Sequence, residues 1–298
     1  MALLNHGINR DLSMNRRSFI RKSAIVSMAL FIPKFILSKP WYKLKRKIKI
    51  LHTNDFHSRI ESFDLNHAKY PGMGGISRIK TLIDRERNDE TLLLDSGDIM
   101  QGTPYFNQFG GSMEIEWMNR AKFDASTLGN HDFDNGLESL ASWIKQANFD
   151  FVNCNYETKN TPLEGLLKPY VIKQINQRKV GIIGVGINPE GLIPKKKCEG
   201  IGYLDPVSKA NDWAEHLKTQ EKVDMVILLS HLGFSYKSAK IDDCKLAIRS
   251  KHIDLILGGH THTFMDKPFS TKNVNNKPVI IHQVGWAGLR LGNLDFKI

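Results

Sequence analysis

The chain has 298 residues, 41% of them hydrophobic, and a formal net charge of +11. That length and apolar content suffice for one large domain or two small ones and exclude a disordered chain. The charge does not mark a nucleic-acid binder. Residues 1–49 hold 12 of the 42 Lys and Arg against one of the 31 acids, Asp11, so the remaining 30 basic and 30 acidic residues leave the body formally neutral.

From Met14 the chain reads MNRRSFIRKSAIVSMALFIPKFILSKP, with paired Arg16 and Arg17 ahead of a moderately apolar run from Ser23 to Leu37. This resembles a twin-arginine export signal with its start at Met14. The run is broken by Pro33 and Lys34 and is shorter than the roughly 20 apolar residues a spanning helix needs. A periplasmic or otherwise exported protein is therefore expected, with membrane attachment only if the signal stays uncleaved. Residues 1–44 are read as signal and basic linker, and residues 45–298 as one catalytic domain. Three cysteines, Cys154, Cys198 and Cys244, form no C-x-x-C pair and suggest neither a disulfide framework nor a cysteine zinc site.

In chain order the body offers strand-like runs at IKILHTND, TLLLDSGD, DASTLGNHD, DFVNCN, KVGIIGVG, DMVILLSHLG, DLILGGHTH and PVIIHQVG, each ending in Gly, Asp, Asn or His. Helical patterns lie between several of them. GGISRIKTLIDRERN sets Ile76, Ile79 and Ile83 on one face, and DPVSKANDWAEHLKTQ opens with Asp205 as N-cap and Pro206 in the first turn. Alternating strands and helices imply an α/β domain, whose ligands bind beyond the carboxyl ends of the strands.

Those ends carry the unusual polarity. The first has Asp55 and His57, which would share a side if the strand continued; the second has Asp98 after a glycine; the third has Asn130, His131 and Asp134 inside GNHDFDNG; and later ends bring His231, His260 and His262. A single Asp or His of this kind is ordinarily a turn residue or a satisfied core histidine. Five motifs together supply imidazole, carboxylate and amide oxygen but no thiolate, a donor set suited to Mn, Zn, Fe or Co. Two ions need about seven or eight protein donors with one shared, and this set has seven.

IKILHTNDFHSRI and FDASTLGNHDFD resemble the two opening signatures of the 5'-nucleotidase branch of the calcineurin-like metallophosphoesterases, with one departure, Asp132 where Glu is usual. The resemblance implies an α/β sandwich of two facing sheets flanked by helices. It implies one divalent ion held by Asp55, His57, Asp98 and His262, a second held by Asp98, Asn130, His231 and His260, and a catalytic dyad of His131 and Asp134. His262 stands where many nucleotidases have Gln and the wider superfamily has His. The expected substrates are phosphate monoesters, nucleotides among them. Cyclic phosphodiesters, nucleoside diphosphate sugars and a sulfur ester are alternatives within the superfamily, and a metal-binding scaffold subunit is an alternative of another class. The chain ends where the first domain of two-domain members ends, so a separately encoded protein resembling their second domain is an expected partner. GMGG at residues 72–75 reads either as an anion cradle or as a helix-entry turn, and KKK at 195–197 as a solvated loop. His52, His67, His216, His252 and His282 have no assigned role.

Overall fold

A computed structural model describes residues 47–297. The export signal read from residues 1–44 lies outside them. Two facing sheets form the centre. The first has five strands in the order β13-β1-β2-β3-β4, comprising Lys47–Thr53 (β1), Thr91–Asp95 (β2), Ala125–Ser126 (β3), Asp150–Phe151 (β4) and Gly292–Lys297 (β13). The second has six in the order β11-β12-β10-β9-β7-β6: Tyr170–Ile175 (β6), Arg178–Val185 (β7), Met225–Ser230 (β9), Leu255–Gly258 (β10), Phe269–Lys272 (β11) and Pro278–His282 (β12). Tyr156–Glu157 (β5) and Gly202–Tyr203 (β8) pair separately.

Three apolar layers follow from the residue pattern. Between the sheets, Ile48, Ile50, Leu92 and Leu94 of the first meet Ile182, Ile227, Leu229, Leu255 and Leu257 of the second, all fully buried. Such side chains each contribute about 1.5–3 kcal/mol on burial. On the outer face of the first sheet pack Ile76–Glu86 (α1), Pro104–Phe109 (α2), Ser112–Ala121 (α3) and Leu137–Gln146 (α4). On the outer face of the second pack Pro206–Thr219 (α5) and Asp243–Arg249 (α6). The α/β sandwich expected from the family resemblance is thus the observed fold.

All eight strand-like runs contain a strand, and both expected helices form. Asp205 caps α5 by accepting from the Ser208 N–H at 2.6 Å, with Pro206 in the first turn. In α1, Ile79 and Ile83 are buried and Ile76 partly so. GMGG is the helix-entry turn: Gly75, at φ 84°, precedes α1. Lys195 and Lys196 are exposed on a short 3-10 turn, as a solvated loop requires. Among the described residues no helix is long and apolar enough to cross a membrane.

The central strands β1, β2, β3 and β4 run parallel, as do β7, β9, β10 and β12. Their carboxyl-terminal loops meet along one rim, where the unusual polarity of the sequence gathers.

Candidate active site

The rim is lashed together by hydrogen bonds between loops distant in sequence. The loops after β1 and β2 continue side by side, the N–H groups of Asp55, His57 and Ser58 donating to the carbonyls of Gly97, Asp98 and Ile99 at 2.9–3.0 Å. Ser96 crosses between sheets, its hydroxyl donating to the Leu257 carbonyl (2.8 Å) while its own carbonyl accepts from His231 Nδ1 (2.7 Å). The His260 N–H donates to both oxygens of Asp55 at 3.0 Å. Asn54 donates to Asp55 Oδ2 and to the Gly285 carbonyl, each at 2.6 Å, and accepts from the Val284 N–H.

This frame brings all seven candidate donors together. Ligand atoms of Asp55, His57 and His262 lie within 4.8 Å of one another, and so do those of Asp98, His231 and His260. Asn130 Oδ1 is 2.8 Å from His260 Nδ1. The two trios abut: Asp98 Oδ2 is 3.0 Å from His231 Nε2 and 3.9 Å from His57 Nε2, and Asp55 Oδ1 is 3.3 Å from His262 Nε2 and 4.0 Å from His231 Nε2. His131 and Asp134 stand alongside as a pair, Nδ1 to Oδ2 at 2.9 Å, and the His131 N–H donates to Asp98 Oδ1 at 2.8 Å.

The route to this convergence differs from strand alternation. β1 stops at Thr53, so Asp55 and His57 do not share a strand face. Both sit at positive φ, as do Asp98, His260 and His262. Non-glycine residues held there cost on the order of 1–3 kcal/mol each, which loop-to-loop bonding must offset. Gly129 is needed for space and not for a positive φ. A Cβ on it would fall 2.1 Å from Asp98 Oδ1, whereas Gly136 does adopt φ 81° ahead of α4.

The donor atoms fit divalent cations. The carbonyls of Ser96 and Gln101 can only accept, so Nδ1 of His231 and of His57 carry the protons and both Nε2 lone pairs face the carboxylates. His231 Nε2 is buried, with Asp98 Oδ2 at 3.0 Å as its nearest polar group. The Nε2 atoms of His57 and His262 approach to 3.0 Å, near enough for one ion to reach both at ordinary metal–nitrogen distances. Burial opposes charge on His231, yet Asp98 and Asp55 overcome it and raise the ring to about 10. Burial likewise opposes charge on Asp98, and His231 nevertheless holds its carboxyl well below the usual range. Burial and the neighbouring His231 push His260 down to about 4, leaving it neutral as a ligand must be.

In GNHDFDNG the sequence marked Asp132 only as a departure from Glu and gave it no role. Asp132 is buried, its Oδ2 accepting from the N–H groups of Asp98 and Gly129 and its Oδ1 from those of Ile99 and Met100, at 2.7–3.1 Å. It therefore ties the loop after β2 to the loop after β3. Burial and Asp98 push its carboxyl up to about 7 against the pull of these donors. The position at which the chain departs from the usual Glu is therefore part of the site's frame. Asp132→Ala would strand four buried N–H groups and should cost about 3 kcal/mol or more, lowering the melting temperature on the order of 10 °C. Asp132→Glu should lose much less, and a melting point of the alanine variant within about 2 °C of the parent would refute this role.

Asp95 and Asp243 were also missed. Both are buried and pushed up to about 7 by burial, and they accept from Thr53, Ser126 and the Gly97 N–H, and from Ser230 and Gln283, respectively. A carboxylate closing an apolar strand, as in TLLLD, was the available signal. The unassigned His52 and His282 form a buried pair, Nε2 to Nδ1 at 2.8 Å, outside the donor trios.

Residues 48–264 match the calcineurin-like phosphoesterase family. The chain belongs to that family. Relatives of this calcineurin-like phosphoesterase include the snake venom 5'-nucleotidase of Crotalus adamanteus, 34% identical over 84% of the chain and 45% of the relative. The human 5'-nucleotidase is 33% identical over 74% and 38%. The chain thus spans about half the length of these relatives. Among solved structures, a 5'-nucleotidase precursor from Thermus thermophilus superposes with a TM-score of 0.74 at 32% identity, covering 84% of the chain and 51% of that structure. The calcineurin-like phosphoesterase YfkN from Bacillus subtilis gives 0.68 at 31% identity, covering 84% of each.

Proposed function

We propose that the chain is an exported phosphoesterase with a dinuclear metal centre, hydrolysing phosphate monoesters, nucleoside 5'-monophosphates among them. The observation that carries this reading is the abutment of two donor trios with the His131–Asp134 pair at their edge. Asp55, His57 and His262 would hold one ion, and Asn130, His231 and His260 the other. Of the two carboxylates, Asp98 would be the one shared between the ions. Asp55 Oδ2 already accepts from Asn54 and His260, whereas Asp98 Oδ2 has only His231 facing it at close range.

When bound, a pair of divalent ions supplies Lewis acidity: a water nucleophile ionised near neutral pH, and charge neutralisation at the phosphoryl oxygens during in-line displacement. The chain's own contribution is to position and to move a proton. His131 points its Nε2 edge away from Asp134, and its ring meets that of His57 edge-on at 5.3 Å, where it can protonate the leaving oxygen. Asp134 orients the ring through Nδ1–H. Burial disfavours the imidazolium, but Asp98 and Asp134 outweigh it and raise the His131 pKa. With Asp98 engaged by the ions, Asp134 would be the anion left to favour the acid form.

Two measurements test the reading. Elemental analysis of protein made in the cytoplasm should give close to two transition ions per chain, and turnover of p-nitrophenyl phosphate should be abolished by chelation and restored by Mn. One ion or none, or metal-independent turnover, would count against it. Asp134→Asn gives a signed pH test. Removing the anion lowers the His131 pKa, so the alkaline limb of kcat/KM should move to lower pH by about one unit or more. An unmoved limb would separate Asp134 from the acid. Export rests on NRRSFI at residues 15–20, and replacing Arg16 and Arg17 by Lys should leave the protein in the cytoplasm.

A further inference from the structure

We propose that an aromatic wall beside the His57–His262 edge of the site, formed by Trp286, Phe63, Tyr70 and Phe264, stacks on the nucleobase of a nucleotide substrate. The inference rests on the phosphoesterase reading above. Trp286 lies flat against His262, ring centres 5.5 Å apart and planes within 6°, and stands edge-on to His57 at 6.4 Å. The wall continues outward from Trp286 to Phe63 at 5.6 Å, from Phe63 to Tyr70 at 5.6 Å, and from Tyr70 to Phe264 at 6.4 Å. It begins on the same His57 ring that meets His131, so a leaving group protonated by His131 departs beside it.

The rings of the wall differ in burial. Phe63 is buried and holds the loop of residues 61–75 on the body. Trp286 and Tyr70 are both half-buried and Phe264 is 37% exposed, so these three rings present surface to a ligand. Each outer ring also has a cation over it, Lys69 Nζ at 5.2 Å from Tyr70 and the Arg290 guanidinium at 5.1 Å from Phe264. Each cation takes one face of its ring and sits at the wall's edge, where it could also meet the polar rim of a base stacked on the wall.

The wall is preorganised. Phe63 N–H donates to the Met73 carbonyl (2.8 Å), Gly72 N–H to the Phe63 carbonyl (3.0 Å) and Gly75 N–H to the Ala287 carbonyl (3.3 Å), closing the loop onto the residue after Trp286. A Cβ at Gly74 would come within 2.7 Å of that same carbonyl, which gives the GMGG run a reason beyond helix entry. Phe264 lies so close to Gly285 that a Cβ there would meet its Cε1 at 2.1 Å. Rings held in place lose little freedom on binding.

The test uses the metal-loaded full chain and two double variants, Tyr70→Ala with Phe264→Ala, and Tyr70→Leu with Phe264→Leu, the latter keeping apolar volume while removing the aromatic faces. Both should lower kcat/KM for AMP about 10-fold, chiefly through KM, and change it less than about twofold for ribose 5-phosphate, which has no base. Equal losses on the two esters, or no loss on AMP, would overturn the proposal. Saturation-transfer NMR with adenosine reads the wall without any hydrolysis. Transfer to the adenine protons should appear with the parent chain and vanish with the leucine pair. Its absence in the parent overturns the wall as a base site even if esters are hydrolysed. Its presence in a chain that hydrolyses neither ester would keep the wall and remove the phosphoesterase reading.

Discussion

Asp98→Ala should empty both cation positions and bring phosphate-ester turnover to the background rate. Asp98 is buried, its Oδ2 faces histidines of both trios, and its Oδ1 accepts the His131 N–H, so one substitution removes the shared charge and an anchor of the acid-bearing loop. His57→Ala removes a donor from one trio only and should retain close to one ion per chain. Asp98→Asn preserves an oxygen for the His131 N–H while discarding the negative charge, and it should also lose metal, because an amide is a far weaker bridge between two cations. Elemental analysis beside a thermal melt separates metal loss from unfolding. Two ions retained by folded Asp98→Ala would remove Asp98 from the bridging position.

His131→Asn should keep both ions and lower turnover of alkyl phosphate esters by roughly 10² to 10⁴, the usual worth of a positioned acid. The amide approximates the imidazole's hydrogen-bonding shape but cannot transfer a proton. None of the closest contacts within the donor trios involves the His131 ring, so metal content should not change. The loss should shrink for p-nitrophenyl phosphate, whose leaving group departs without protonation. Equal losses for alkyl and nitrophenyl esters would point to a charge-stabilising role instead, and unchanged turnover would take His131 out of the mechanism.

Most of the strands that could be read from sequence are buried on both faces. MVILLS and LILG are continuous apolar runs because parallel strands between helices and a second sheet expose neither side. The strands that went unread are edges or antiparallel additions. β13, GNLDFK, alternates buried and exposed positions weakly, and β11, FSTK, is almost wholly exposed. Their place is set by pairing with β1 and β12, and no local pattern encodes it.

At the rim the same division holds. The sequence by itself determined which donor types stand at the strand ends, because metal chemistry demands His, Asp and Asn whatever surrounds them, and the two signature segments determined the family. Tertiary structure decided how they converge. Asp55, His57, Asp98, His260 and His262 adopt positive φ through bonds between loops, such as His260 to Asp55, 205 residues apart. It decided that Asp132 serves four backbone donors, that both Asp55 oxygens accept the His260 N–H while Asp98 Oδ2 faces His231, and that Trp286 lies against His262. None of these contacts has a local signature, since each joins groups whose separation along the chain is unrelated to their separation in space. A carboxylate that will bind a metal and one that will hold a loop are the same letter until the fold supplies their neighbours.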